Sequence, residues 1–337
     1  MVKFIELKNK FNTHVILCNI GASIYDIKTI DKNNKLESIL YTTKSQDEFL
    51  YDNSYFGKTI GRTGGRISNS KFVLNGIEYK IESDDPNGLH GGKDGLSFKE
   101  FNYNEFESLD SYSVVFSYLS DNLESGYPGN LLVEVEYKLY KNENKLIISY
   151  YGKSDKDTLL NLSNHAYFNL SGDAKDNIFD HELYINASQM EKIENLIPKE
   201  IVDCSKIYSF KKMHKVGLYL KEDEIINNTN GYDFPYIFDE CDYNKVNVIV
   251  KEPISKRFLK IKTTYPTVVL YTCNYCGDEI MNNNKKAEPY YALCLECMYH
   301  PNTVNSDFLK SKKDILYKNK EYTEEIDLLF GVEEWEN

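Results

Sequence analysis

Hydrophobic and polar residues alternate with period two along much of this chain. From Leu131 to Tyr140, Val133, Val135, Tyr137 and Leu139 alternate with Glu134, Glu136 and Lys138, which predicts a strand with one buried and one wet face. Phe72-Val73-Leu74, then Asn75-Gly76, then Ile77-Glu78-Tyr79 predicts a hairpin, because Asn-Gly supplies the positive φ angles of a type I′ turn. Ser113 to Tyr118, Leu146 to Tyr151, Val246 to Val250, Phe258 to Thr264 and Thr267 to Thr272 are further β-rich runs. Helical periodicity is confined to short pieces, one before Ile197 and one around Val216 to Asp223. Many strands with almost no long helix predict an all-β chain, a large antiparallel sandwich, rather than alternating βαβ units. No low-complexity linker, charge block or repeat marks an internal boundary, so residues 1–337 read as one domain.

Composition sharpens this picture in two respects. Twenty-eight Tyr and 17 Phe suit pleated sheets better than helices. A net charge of −12 removes the non-specific attraction that basic proteins have for nucleic acid or anionic lipid, so neither nucleic acid nor a membrane surface is an expected partner. The first residues, MVKFIELKNKFNTHVILC, lack the basic and apolar regions of a secretion signal, and no apolar run approaches the roughly 18 residues that span a bilayer. The expected location is cytoplasmic.

Seven cysteines, an odd number, argue against a disulfide framework in such a setting. Cys273-x-x-Cys276 and Cys294-x-x-Cys297 enclose 17 residues, the general spacing of a four-cysteine zinc site. Residues three apart on a strand point to opposite faces, however, so Cys294 and Cys297 could share a metal only through a turn at Leu295-Glu296. Their apolar, glycine-free flanks argue for a strand. No metal is expected.

Four segments carry candidate chemistry. Read as a strand, Leu160 to Gly172 puts Asn161, Ser163, His165 and Tyr167 on one face, a polar wall inside a core-like run. Histidine suits proton donation near neutrality, although neighbouring amides could equally hold it as a structural group. Asp85 to Gly95 holds four glycines in eight residues, with His90 inside a loop whose backbone can approach a ligand or simply turn at the surface. Gly57 to Arg66 lacks the spacing of a phosphate-binding loop and runs into a hairpin rather than a helix; Arg66 is a possible donor to hydroxyls. Tyr291 to Pro301 reads as a strand apolar on both faces except at Glu296, whose carboxylate must be paired, neutral, or at work in a cavity.

In order along the chain, Gly61-Arg62 to Arg66, Asn75-Gly76, Gly88-Leu89-His90-Gly91-Gly92, Gly126-Tyr127-Pro128-Gly129-Asn130, Asn161 to Leu170, Gly231-Tyr232-Asp233, Leu270-Tyr271-Thr272-Cys273-Asn274 and Leu295-Glu296 resemble the galactose mutarotase (aldose 1-epimerase) family. The resemblance implies a β-supersandwich and an isomerase of carbohydrate metabolism that interconverts the α and β anomers of a free aldohexose, galactose or glucose. It implies Glu296 as general base, His165 as general acid, His90 as a second histidine beside the ring oxygen, and Arg66 and Asp233 as hydroxyl-binding residues. No metal, nucleotide or redox cofactor is implied, and a monomer and a homodimer are both compatible. A base ionised while its acid is protonated predicts a bell-shaped pH profile.

Four positions depart from the family's polar pattern: Gly65, Phe234, Val269 and Met298. They predict a cleft with fewer hydroxyl contacts and put the preferred sugar in doubt. An epimerase of a modified or phosphorylated hexose and a non-catalytic carbohydrate-binding protein are the alternatives. The first should show a cluster of cations, for which Arg62, Arg66 and Lys93 are the only candidates.

Overall fold

Alternation on this scale buries one face of each strand, and two such faces must meet to leave water. The computed structural model of the chain describes residues 1–309 and 313–333. Every ladder between its strands is antiparallel, and among the described residues only Gln46–Tyr51 and Asp223–Thr229 are α-helical.

One sheet has nine strands, in the order Asn102–Glu107, Ser111–Ser120, Leu131–Tyr140, Lys145–Ser154, Glu321–Val332, Arg257–Thr263, Val248–Lys251, Glu182–Ile185 and His214–Lys215. A second has six, in the order Tyr167–Phe168, Leu293–Met298, Thr267–Tyr271, Asp233–Ile237, Gln189–Glu194 and Ile197–Asp203. The inward residues of both sheets form one core. The first sheet contributes Val133, Val135, Tyr137, Leu259 and Leu328, and the second contributes Phe234, Leu270, Leu295 and Cys297. A smaller sheet of four strands, Phe4–Lys8 to Leu36–Ser38, adds Ile5, Val15 and Ile24 to the same core.

The Asn-Gly hairpin joins Lys71–Leu74 to Ile77–Lys80, with Asn75 and Gly76 at φ 52° and 77°. The two short helical readings fare differently. The stretch before Ile197 is a strand, Gln189–Glu194, in which a bulge between Lys192 and Ile193 breaks the alternation that would have revealed it. Val216–Leu218 is one 3₁₀ turn, and the α-helix starts only at Asp223. No helix among the described residues is long and apolar enough to cross a membrane.

The alternation within the six-stranded sheet decides what faces the site. Phe234, Leu270 and Leu295 lie opposite one another and point into the core. Their neighbours therefore point outward in two rows: Tyr167, Cys294, Tyr271 and Asp233 in one, and Glu296, Val269 and Pro235 in the other.

Candidate active site

The residues of these two rows, all but Cys294, floor a cleft of about 390 Å³, walled by Tyr55, Arg66, His90 and His165 and lined on one side by Ile193, Leu196 and Pro198. All five residues singled out from the sequence, His90, His165, Glu296, Arg66 and Asp233, line it. They arrive from five separate parts of the chain, so the tertiary fold brings them together.

His165 does not lie on the continuous strand that the sequence suggested. Only Ser163–Asn164 and Tyr167–Phe168 are strand, and His165 sits between them. Its backbone is held on both sides: Gly57 N donates to His165 O at 2.9 Å, and His165 N donates to Lys58 O at 2.9 Å. The Lys58 ammonium is fully buried, 2.8 Å from the Asp52 carboxylate and 5.1 Å above the Phe98 ring. That ion pair fastens the loop carrying Tyr55, whose ring stacks on His165 at 6.1 Å and meets His90 edge-on at 4.9 Å. Tyr167 stacks on the other side of His165 at 4.9 Å, and its hydroxyl donates to Ser54 O. The imidazole is thus fixed between two aromatic faces. Asn161 and Ser163, placed on the same polar face by the sequence reading, do not line the cleft; the Asn161 amide is engaged with the backbone of Tyr299.

His90 comes from the glycine-rich loop, which is a cleft wall and not a free surface turn. Its backbone has φ 47°, and Gly65 brackets it by donating N–H to Nδ1 at 3.2 Å while accepting from His90 N at 2.9 Å. Nδ1 accepts, so the proton of the neutral ring is assigned to Nε2. Gly91 has to be glycine: at φ 92° a Cβ there would sit 1.8 Å from Gly61 O. Arg66 pairs with Leu89 across a short ladder, and its Nε lies 3.4 Å from the Asp85 carboxylate, which aims the guanidinium along the cleft.

Glu296 is buried in the middle of Leu293–Met298, and its Oε1 lies 3.4 Å from His165 Nε2. The rings of His90 and His165 are 5.2 Å apart and nearly perpendicular. Burial pushes the Glu296 carboxyl well above its ordinary range, with Asp233 adding to the rise and Arg66 opposing it. Burial pushes the His165 imidazole down to about 4 and that of His90 well down, His165 and Arg66 adding to the latter. The resemblance implies an ionised base beside a protonated acid. The structure instead gives a buried pair in which the neutral carboxyl and the neutral imidazole are both favoured, because either group charged alone would be poorly solvated. Asp233 is raised to about 6 by burial, against the pull of Arg66.

The ligand atoms of His90, His165 and Glu296 lie within 4.8 Å of one another, so among the described residues this trio is the cluster that could hold a metal. The four cysteines are not grouped that way. Cys294 packs with Tyr41 and Tyr167 on the cleft side of its strand, whereas Cys297 packs in the main core on the other.

Of the four departures, Gly65 and Val269 line the cleft. Phe234 faces the core against Tyr208, and Met298 is buried against Ile60 and Val269, so neither is a lost contact on the cleft surface. Arg62 is committed to the interior, donating to Ser120, Thr158 and the carbonyls of Pro128 and Gly129. Lys93 lies beside Asp84 at 3.7 Å, outside the lining. Arg66 is therefore the only Lys or Arg lining the cleft among the described residues, facing two carboxyls. A phosphoryl group has no cationic cluster to meet there. Tyr55 and Leu196 were not found from sequence, and Cys276 was considered only as a metal ligand; each lies in a loop or turn where periodicity carries no signal.

A two-sheet antiparallel sandwich with an acid–base cleft on the outer face of one sheet defines the class: a galactose mutarotase-like fold. The aldose 1-epimerase family model matches residues 3–328. A galactose mutarotase of Sus scrofa is 30% identical over 317 residues, covering 93% of this chain and 89% of that one. An aldose 1-epimerase of Haemophilus influenzae is 31% identical over 310 residues, covering 90% of this chain and 88% of its own. The solved structure of a GalM/aldose epimerase homologue from C. elegans superposes with a TM-score of 0.89 at 26% identity, covering 98% of this chain and 99% of that one. This chain belongs to the aldose 1-epimerase family, and it is an isomerase that interconverts the anomers of an aldose.

Proposed function

We propose that this protein catalyses the α–β interconversion of free galactose or glucose, in the cytoplasm and as a monomer or homodimer, with residues 1–337 acting as one catalytic domain. The observation that carries the reading is the buried His165–Glu296 pair, 3.4 Å apart at the floor of a cleft with His90 alongside. The names of the relatives support galactose as a substrate.

In this mechanism Arg66 donates to ring hydroxyls and the Asp233 carboxylate accepts from them. Glu296, in its ionised form, takes the proton of the C1 hydroxyl. His165, holding the shared proton, gives it to the ring oxygen, with the Nε2–H of His90 as a second donor beside that atom. The C1–O5 bond breaks and the open-chain aldehyde forms. Rotation about C1–C2 presents the other carbonyl face; O5 attacks it and returns its proton to His165, and Glu296 returns its own to the new C1 hydroxyl. The site ends as it began. Arg66 favours the ionised carboxylate against the effect of burial, and the mechanism requires the proton to stand on His165 when the C1 hydroxyl meets Glu296. Each positioned transfer contributes roughly 10²- to 10⁴-fold.

Polarimetry on freshly dissolved α-D-galactose and α-D-glucose tests the reading. The wild-type protein is expected to exceed the buffer rate on at least one. No acceleration on these or on other aldoses would overturn it.

A further inference from the structure

Two thiols, one lining the cleft and one buried behind it, have no part in this chemistry. Cys273 lies two residues past the end of the strand Thr267–Tyr271 and is 1% exposed, packed with Tyr41, Tyr167, Ala292 and Cys294. Its carbonyl accepts from Tyr290 N at 3.0 Å. The next residue, Asn274, is fastened by its amide to the carbonyls of Thr229 and Tyr232, both at 2.9 Å. Cys276 is half-buried and lines the sugar cleft between Tyr275 and Gly277. The two sulfurs are 3.5 Å apart.

We propose that Cys273 and Cys276 form a reversible redox pair, oxidised by a small-molecule disulfide of the glutathione class that reaches Cys276 through the cleft, and that the resulting bond alters the affinity of the cleft for sugar. The effect on sugar, though not the disulfide itself, rests on the reading of this cleft given above. A disulfide needs about 2.05 Å between sulfurs, so closure requires an approach of roughly 1.5 Å. Cys273 is clamped on both sides, and Cys276 stands on an exposed segment beside a glycine. The Tyr275–Gly277 wall therefore makes the movement, drawing the Cys276 sulfur back from the cleft surface. Tyr275 moves with it, and its backbone N–H and C=O are both tied to the Tyr271 hydroxyl over the cleft floor.

The chemistry balances as two exchanges. The Cys276 thiolate attacks one sulfur of the disulfide RSSR, forming Cys276–S–S–R and expelling RS⁻. The Cys273 thiolate then attacks the Cys276 sulfur, closing the Cys273–Cys276 bond and expelling the second RS⁻. The two protons lost by the cysteines are taken up by the two leaving thiolates, so two protein thiols are oxidised and one RSSR is reduced to two RSH. Cys276 attacks first because it is the accessible member of the pair.

The full chain is equilibrated in glutathione redox buffers, its free thiols are capped, and its peptides are mapped by mass. The expected product is a Cys273–Cys276 link that dithiothreitol removes. A Cys276 that stays free or carries only a glutathione cap after full equilibration overturns the proposal. In the linked protein the KM for galactose is expected to change by about threefold or more, and to return on reduction. Cys273→Ser and, should it not fold, Cys276→Ala are each compared with their own reduced state and are expected to show no such response. A linked protein with unchanged KM overturns the effect on sugar. Mapping needs no turnover, so failure of the catalytic reading appears separately, as a reduced enzyme that does not anomerise sugar.

Discussion

Replacing Asp52 by Asn tests how the site is held. The Asp52 carboxylate and Lys58 ammonium are both fully buried and 2.8 Å apart. One carboxylate oxygen of Asp52 also accepts from Ser54 N at 2.8 Å and Phe56 N at 3.3 Å. In Asp52→Asn the amide oxygen keeps those two bonds, and the NH₂ group is turned toward the ammonium, donor against donor. Lys58 is left charged, buried and without its counter-ion, a defect that costs about 3–5 kcal/mol. With a urea slope of about 3 kcal/mol/M, the midpoint falls by roughly 1–1.7 M. The same loop carries Tyr55 against both histidines, so turnover measured in the folded protein should fall as well. The double variant Asp52→Leu/Lys58→Met removes both charges and should recover most of the lost stability, because no uncompensated ion remains. Urea unfolding followed by tyrosine fluorescence, with polarimetry on the same samples, reads both effects. A midpoint shift below about 0.3 M for Asp52→Asn, which is under about 1 kcal/mol, would refute the argument that this ion pair anchors the wall.

Three other outcomes follow from the geometry. Protonation of the one-proton pair to its two-proton form requires charging a His165 held at about 4, so in Asp233→Asn, which lacks the Asp233 titration, kcat/KM should hold down to about pH 4 and fall below it, and should decline on the alkaline side as the raised Glu296 loses its proton. An acid limb near the free imidazole value of about 6.5 would contradict the burial argument. Asp233, raised to about 6, accepts hydroxyls most strongly when ionised, so KM should rise as pH falls through about 6. Asp233→Asn should raise KM by roughly 10- to 100-fold and abolish that dependence, as expected for hydrogen bonds to a charged group of about 1.5–3 kcal/mol. Gly91→Ala should leave little folded protein in a solubility assay, since its Cβ would fall 1.8 Å from Gly61 O; a well-folded variant would mean that the loop bearing His90 is free to move.

Legibility in the sequence followed the physics of each element. Leu131–Tyr140 was readable because one face meets the core and the other meets water, and the Asn75-Gly76 turn because few other residues take its φ angles. Glu296 stood out as the sole carboxylate in a strand buried on both faces. Gln189–Glu194 was hidden by its bulge, and Glu191 within it is buried against His300, against the usual bias of charged residues to the surface. Phe234 was misread for another reason: its side of the strand depends on register, which places Asp233 in the cleft and Phe234 in the core. Tyr55 has φ 61° in a loop and reaches both histidines only through folding, so no local pattern announces it.

The most direct test of the proton-sharing pair is the anomerisation rate of Glu296→Gln at saturating galactose, measured by polarimetry beside calorimetric binding of the same sugar. A turnover loss of roughly 10²- to 10⁴-fold with sugar affinity changed only a few-fold is the predicted result. Wild-type turnover in Glu296→Gln would contradict the account.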